Sequence, residues 1–505
     1  MKIKIYIIGI KGSGLSSLVS ILKNMIENHD DLLKKIYREK VYKACSEFEI
    51  DGVDTKEVFF SDEVLKKLNI KYKEGFDKNN IRSLKDNDFI IYSAAYNENN
   101  NEEIKEAKLR KMKMFLYTEF LGFLSFYSNK ALAISGSHGK TTLTALISSI
   151  LKEIALKNNF SDIFAILGAT LKEFDNLSSM SFHKESSKKN ILMIAEACEY
   201  RRNFLSFYPS HLIINNIEED HLDYYKGIED IKDAFLNLVF NTKDALIYNV
   251  EDKNTLSFLN KINKDLNLLS FGKDGDFSYK DLIQNKDNQT FKVVLSNKID
   301  LDEFEITTPL FARHSILNIL AAFASIYSLI GKENFIKSLD DIKKVILLFN
   351  GTQRRSQFLG KANGIMFYDD YGHHPTEIKS TLKGLKERYN KRIILDFASH
   401  TFTRSKLLLS EFKNCFHEAD IVILNDIYPS ARENKDLLNF TSKDFFKAIF
   451  SNKKENQEIY FIPTYQKSIS FIKNLLKKDD IVLSMGAGDN FKVTKTLYKL
   501  IKDNK

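Results

Sequence analysis

Cysteine is nearly missing from this chain, with three in 505 residues, at Cys45, Cys198 and Cys415. They lie far apart and show no metal-ligand spacing, which excludes a disulfide scaffold and a zinc ribbon. The sparse, odd count fits a reducing cytoplasm. Long apolar runs are absent too. No stretch reaches the roughly 18 uninterrupted apolar residues of a membrane span, so membrane insertion is not expected. The short run in Met1–Gly9 ends in a glycine loop rather than a small-residue cleavage site and reads as a strand, not a leader. There is no block of one charge. The net +8 comes from 75 Lys and Arg against 67 Asp and Glu, interleaved almost everywhere. That pattern describes solvated faces, not a nucleic-acid surface. Repeats, heptads and low-complexity tracts are not found.

What is present has the composition of a globular protein, 43% apolar, and the length of about three domains. The most informative stretch is Ser135–Thr142, Ser-Gly-Ser-His-Gly-Lys-Thr-Thr. An apolar run, Ala131–Ile134, leads in and a helix-compatible stretch, Thr142–Ile154, leads out. Strand, glycine loop and helix in that order make a phosphate cradle. Gly136 and Gly139 let backbone N–H groups converge on an anion, and the helix N-terminus adds partial positive charge. Lys140 can reach terminal phosphate oxygens, and the Thr141 hydroxyl is placed for Mg²⁺. A plain tight turn would explain the glycines but not the adjacent Lys-Thr pair. The full P-loop pattern has one more glycine, where this chain carries Ile134.

Upstream, Ile3–Ile10 reads as a strand running into Gly9-Ile-Lys-Gly12-Ser-Gly14-Leu-Ser16, with a helix over Leu15–Glu27. The spacing Gly-x-x-Gly-x-Gly is not the dinucleotide fingerprint, which argues against a nicotinamide-dependent oxidoreductase. Phe48–Asp54 is a strand ending on a carboxylate suited to a ribose or base. Phe89–Ala95 and Met114–Thr118 continue the alternation of strands and helices. A parallel, doubly wound sheet is expected, with its ligand at the carboxyl ends of the strands. Ser125–Lys130 reads as a linker and Glu173–Asn190 as a polar surface excursion.

Two apolar strands follow. Ile191–Ala197 leads into Glu196-Ala-Cys-Glu-Tyr-Arg-Arg202, and Leu212–Ile217 leads into Asn216-Ile-Glu-Glu-Asp-His221. Alone, Glu196 reads as a helix-start acid and His221 as a ring near a helix cap. Together, after successive strands of a phosphate-binding domain, a carboxylate and a histidine suit a metal and phosphate site. Leu310–Leu329 has a helical apolar stripe, with His314 and Asn318 one turn apart on one face. They either meet an adenine edge or bond locally. From Asn350 onward a third α/β domain is expected. It opens on Gly351-Thr-Gln-Arg354-Arg355 and Asp369–Glu377, with Pro375 suited to a first helical turn. Its strands are Arg392–Phe397, Asp420–Ile427, Glu458–Thr464 and Asp480–Met485, and His400, Arg404 and Arg432 stand at their ends. The expected domains are 1–129, 130–349 and 350–505.

On these residues the chain resembles the Mur ligases over nearly its whole length. The most specific pieces are Gly136-Ser-His-Gly-Lys-Thr-Thr, Asn216-Ile-Glu-Glu-Asp-His-Leu-Asp and Asp369-Asp-Tyr-Gly-His-His-Pro-Thr-Glu. The last, with Gly351-Thr-Gln-Arg-Arg upstream, resembles the L-alanine-adding branch. The resemblance implies an α/β, three-domain architecture: a Rossmann-like N-terminal domain for the UDP-sugar, a P-loop ATPase central domain, and a Rossmann-like C-terminal domain that closes over ATP and binds the amino acid. It implies an ATP-dependent amide ligase of peptidoglycan precursor synthesis. This would join L-alanine to the lactyl carboxylate of UDP-N-acetylmuramate through an acyl phosphate, with Mg²⁺ or Mn²⁺, in the cytoplasm, as a monomer or homodimer, with no nucleic-acid partner. A murein-peptide recycling ligase, or another Mur or folylpolyglutamate-type amide ligase, is the alternative.

The resemblance also implies roles. Gly136, Ser137, His138, Gly139, Lys140, Thr141 and Thr142 would hold ATP, with Lys140 on the β,γ-phosphates. Thr141, Glu196 and His221 would hold the metal. His314 and Asn318 would meet adenine, and Arg355 and Asp370 would be brought to the nucleotide. His374, His400 and Arg404 would form the alanine pocket, Arg404 clamping the α-carboxylate and His374 acting as the base. Gly12, Ser13, Gly14, Ser16 and Asp54 fall where the family holds UDP. Two departures stand out: Lys11 replaces a glycine of the first loop, and Thr401 occupies a position where an arginine can be found.

Overall fold

Ile5, Ile7 and Ile8 of the first strand, Lys2–Ile8, are wholly buried. A near-continuous apolar run of this kind belongs to a parallel strand covered on both faces. The computed structural model describes residues 2–28, 31–41, 47–57, 59, 61–174, 177–186, 189–429 and 439–503. In it, Lys2–Ile8 is the middle of a five-stranded parallel sheet. Glu47–Asp54 and Tyr72–Glu74 lie to one side, Phe89–Tyr92 and Lys113–Leu116 to the other. The connection reverses direction beside Lys2–Ile8, which opens a crevice at the carboxyl edge, beyond Gly9. Cys45 and the Arg432 loop end lie outside the described residues. Cys198 and Cys415 are free thiols.

The chain divides into two compact units. The first comprises Met1–Ile217, Lys232–Phe277 and Ala321–Val345. Besides the sheet just described, it contains the strand Lys130–Ser135, paired in parallel with His211–Ile214 and with Ile191–Glu196. Ala245–Asn249 and Asn267–Phe271 extend one side, and Asp162–Leu171 and Leu177–His183 the other. Leu177–His183 runs antiparallel to Asp162–Leu171. The stretch read as a polar excursion is therefore partly an edge hairpin. Its polarity suits an edge strand with a wet face. A second correction concerns Thr118. The Leu116 N–H bonds to Glu119 Oε2 at 2.7 Å, so the strand stops at Leu116 and the helix Tyr117–Tyr127 begins at once. That helix runs into the stretch read as a linker, and only 128–129 separate it from the next strand.

The second unit comprises Glu218–Ile231, Ser278–Leu320 and Ile346–Lys505. Its six-stranded sheet is ordered Gln357–Ala362, Ile365–Asp370, Ile481–Gly486, Ile393–Ala398, Ile421–Leu424, Glu458–Phe461. The first pair is antiparallel and the others parallel. An antiparallel pair, Gln289–Leu295 with Phe304–Thr308, also belongs here. Neither it nor the edge strand Gln357–Ala362 was anticipated. Pro375 does open a helix, Pro375–Tyr389, and the cap is double. The His374 side chain accepts from Thr376 N–H, and Glu377 Oε2 accepts from the His373 and His374 N–H groups at 3.0 and 3.2 Å. The helix Arg313–Ile330 is long and apolar enough to cross a membrane, but most of it is buried in the protein, as a core helix would be.

Candidate functional site

In the first unit the strand Lys130–Ser135 hands over to Gly136–Gly139 and then to the helix Lys140–Ile154. Gly136 and Gly139 have φ of +142° and +84°, values that favour glycine. A Cβ on Gly136 would lie 3.1 Å from Asn216 N and O. The loop is buttressed by the end of the neighbouring strand. Ser137 N–H donates to Asn216 O at 2.9 Å, His138 N–H to Asn216 Oδ1 at 2.8 Å, and Asn215 Nδ2 to His138 O at 2.9 Å. Lys140 Nζ donates to Gly136 O, to Ser137 O at 3.3 Å and to Glu199 Oε2 at 2.9 Å. Burial alone would lower this ammonium's pKa, but the acidic groups around it, Glu199 foremost by its charge and its hydrogen bond, together outweigh burial and hold it above its ordinary value. In the first turn of the helix, Thr141 Oγ1 donates to Glu196 Oε2 at 3.2 Å, and Gly168 N–H donates to Glu196 Oε1 at 2.5 Å. Thr142 follows in the same turn.

The first glycine loop is pinned from below. Gly12 caps the helix Ser13–Glu27 without a side-chain bond, leaving its first N–H groups open to an anion. The hydroxyl of Ser16 turns back to Ser13 O at 3.1 Å. Asp54 is buried. Its Oδ2 accepts the Lys11 N–H at 2.6 Å and its Oδ1 the Thr55 N–H at 2.7 Å, so it anchors the loop. The Lys11 side chain is 1% exposed and ion-pairs with Glu74 at 2.8 Å and Asp62 at 3.2 Å. It also donates to the carbonyls of Thr55 and Glu57. Where the resemblance has a glycine, this chain has a buried ammonium turned toward neighbouring strand ends.

The second unit gathers the remaining residues. Arg404 Nε and Nη2 donate to Asp220 Oδ1 at 3.1 and 2.7 Å, and Nη1 to His400 O at 3.2 Å. Burial opposes ionisation of Asp220, but the positive charge around it, from Arg404 first and then His221, His374 and His373, together prevails and holds its carboxyl well below the usual range. His373 packs edge-on against His400, with centroids 5.3 Å apart, and burial with the Arg404 charge lowers its pKa to about 3. His374 is buried. Its Nε2 donates to Glu219 O at 3.2 Å, and its Nδ1 lies 3.4 Å from the Thr376 nitrogen. His221 has a left-handed φ of +54°, and its N–H donates to Asp220 Oδ1 at 2.7 Å. Asp370 accepts from Ser356 N and Oγ, Gly372 N and Thr381 Oγ1, and so shapes the turn that presents Arg355. Arg355 bonds to Glu377 at 3.2 Å. His314 Nδ1 lies 2.9 Å from Ser380 Oγ, and Asn318 is buried one turn further on.

Family models match three parts of the chain: "Mur ligase family, catalytic domain" at 41–127, "Mur ligase middle domain" at 134–326 and "Mur ligase, glutamate ligase domain" at 354–488. The chain belongs to the Mur ligase family. Curated UDP-N-acetylmuramate–L-alanine ligases are similar to it end to end. One from Borreliella burgdorferi is 36% identical, covering 96% of this chain and 97% of its own. One from Treponema pallidum is 33% identical, covering 99% and 97%. Among solved structures, the UDP-N-acetylmuramate-alanine ligase of Thermotoga maritima superposes with a TM-score of 0.72 at 21% identity, over 99% of this chain and 100% of that one. A murein peptide ligase from Psychrobacter arcticus gives 0.67 at 19%, over 99% of both. The fold is the three-domain Mur ligase architecture.

Several residues of this Mur ligase went unassigned in the sequence. Glu199 pairs with Lys140, Asp220 with Arg404, and Gly168 closes over Glu196. A Cβ at Gly168 would lie 2.7 Å from Glu196 Oε2 and 2.8 Å from Thr141 Oγ1. Only the strand-end position of Glu199 and Asp220, shared with Glu196 and His221, could have flagged them. Thr141 and Glu196 offer adjacent hard oxygens, the donor type that Mg²⁺ prefers, so this pair fits a divalent cation.

Proposed function

We propose that this Mur ligase joins L-alanine to the lactyl carboxylate of UDP-N-acetylmuramate at the expense of ATP. The end-to-end likeness to curated ligases of that name carries the reading, and the lysine-bearing glycine loop gives it a chemical basis. The carboxylate attacks the γ-phosphorus of ATP, forming an acyl phosphate and releasing ADP. The alanine amine then attacks the acyl carbon, the amide forms, and inorganic phosphate leaves with the bonding pair. Bringing a carboxylate to a polyphosphate requires charge neutralisation. Lys140 supplies one positive charge, which it must transfer from Glu199 to the phosphates. Thr141 and Glu196, with His221, would hold Mg²⁺, whose chemistry is to neutralise phosphate oxygens.

His314 and Asn318 would meet the adenine, and Arg355, aimed by Asp370, the phosphates. Gly12, Ser13, Gly14 and Ser16 would take the UDP diphosphate on the open helix end, with Asp54 holding the loop. Arg404 carries Asp220 on Nε and Nη2. An amino-acid carboxylate would therefore engage Nη1 or displace Asp220, with His400 alongside. For His374 to accept the ammonium proton at Nδ1, the contact of that nitrogen with the Thr376 N–H must open. We place the reaction in the cytoplasm and the domain boundaries near 129 and 349.

The deciding assay is ADP release, expected only when UDP-N-acetylmuramate and L-alanine are both present. Release with a tripeptide instead of alanine would favour the recycling reading. Lys140→Ala should abolish ADP formation while the sugar nucleotide still binds. Undiminished turnover in that variant would remove Lys140 from the phosphate site.

A further inference from the structure

Tyr117 has no role in the reading above. It is the first residue of the helix Tyr117–Tyr127, directly after the strand Lys113–Leu116, on the carboxyl edge of the first sheet where a ligand is expected. Its ring lies over the first glycine loop. A Cβ on Gly14 would stand 2.8 Å from Tyr117 Cζ and Oη and 3.0 Å from Cε1, so residue 14 must lack a side chain for the phenol to sit there. The same phenol is within electrostatic reach of Glu196. Burial first, then the Glu196 charge, raise its pKa above the ordinary value. It therefore keeps its proton and remains a donor through the neutral range. One hydroxyl thus touches the glycine loop assigned to UDP and senses the carboxylate assigned to the metal. A muramyl substrate must span those two places, its lactyl carboxylate travelling toward the second.

We propose that the Tyr117 hydroxyl is a substrate contact that donates to the lactyl carboxylate of the muramyl sugar and so distinguishes it from sugars lacking that group. The proposal rests on the ligase reading. A hydroxyl within electrostatic reach of Glu196 also suits this role better than an acid, since a second carboxylate there would repel the substrate's own.

The test is Tyr117→Phe, which keeps the ring on Gly14. Affinities for UDP-N-acetylmuramate and for UDP-N-acetylglucosamine, which has no lactyl group, are measured by calorimetry. The expected result is binding of the muramyl nucleotide weakened roughly tenfold or more, as for loss of a hydrogen bond to a charged group, with the glucosamine nucleotide within about twofold of wild type. In turnover, KM for the muramyl nucleotide should rise while KM for ATP and L-alanine stay put. Equal weakening of both nucleotides would mean a structural role and overturn the proposal, as would unchanged affinity for the muramyl one. Wild-type protein that binds neither nucleotide would overturn the ligase reading and the proposal with it.

Discussion

Lys11 shows how one residue can depart from a family pattern without disturbing its chemistry. A lysine beside a diphosphate loop invites the idea of a phosphate contact. Its ammonium is instead buried, bonded to Glu74, Asp62 and two carbonyls, with the Tyr72 ring 5.2 Å away. Burial alone would lower its pKa, but the two acids prevail and raise it. Replacing it with methionine strands partly exposed acids, which limits the cost below that of a fully buried broken pair. Lys11→Met is expected to destabilise by about 2 kcal/mol and to raise KM for the sugar nucleotide several-fold, because the loop loses its tether to the strand ends. Urea unfolding and initial-rate kinetics check both; unchanged stability would mean the ion pairs contribute nothing. Gly168 poses the opposite case. Its added methyl would collide with two site oxygens while leaving the core alone, so Gly168→Ala should cut kcat by roughly a hundredfold or more, the scale of misplaced catalytic groups, at nearly unchanged Tm. A variant with wild-type kcat would mean that Glu196 and Thr141 need no fixed geometry.

At the level of elements, the helix Tyr117–Tyr127 is defined by its packing. Gly122 faces the Ser206 carbonyl so closely that a Cβ would stand far inside van der Waals contact with its oxygen. The backbone there cannot yield easily, since it belongs to a turn with left-handed Arg201 and Arg202. Gly122→Ala gains helix propensity worth about 1 kcal/mol but meets an overpacking cost of about 1–3 kcal/mol. The net expectation is a lower Tm, where an exposed helical glycine would give a higher one. Differential scanning calorimetry distinguishes the signs. The same turn explains what could be read in advance. The phosphate loop was legible because its chemistry is contiguous: glycines, lysine and threonine adjoin, and an apolar strand precedes them. Glu199 was not, because the turn brings it to Lys140 from 59 residues away. The parallel strands were legible as apolar runs. The strands Leu177–His183 and Gln289–Leu295 were not, since half-exposed antiparallel strands mix polar residues into the pattern. Thr118 was misread because a capping glutamate three residues past the strand outweighs the β-propensity of Met-Phe-Leu-Tyr-Thr.

For the molecule as a whole, acid stability can be argued from one buried imidazole. His211 begins the strand His211–Ile214 and is 3% exposed. Its Nε2 faces the Ser328 carbonyl at 3.4 Å, which assigns the proton to that nitrogen, and Nδ1 lies 2.8 Å from Ser210 Oγ. Burial, then the nearby Lys130 charge, lower its pKa to about 4, against roughly 6.5 in an unfolded chain. Between those values the unfolded chain binds a proton that the folded chain refuses, so stability rises with pH across the window and falls as the solution is acidified. The stabilisation is whole above about pH 6.5 and is lost progressively toward pH 4, a loss on the order of 3 kcal/mol if this group acted alone. Carboxylates add slopes of their own, so the diagnostic is the difference between proteins. His211→Asn removes the titrating ring, and although it lowers stability at pH 7.5, its unfolding free energy should decline less steeply than wild type between pH 6.5 and 4.5. Parallel slopes in urea titrations at the two pH values would show that His211 takes up no proton on unfolding.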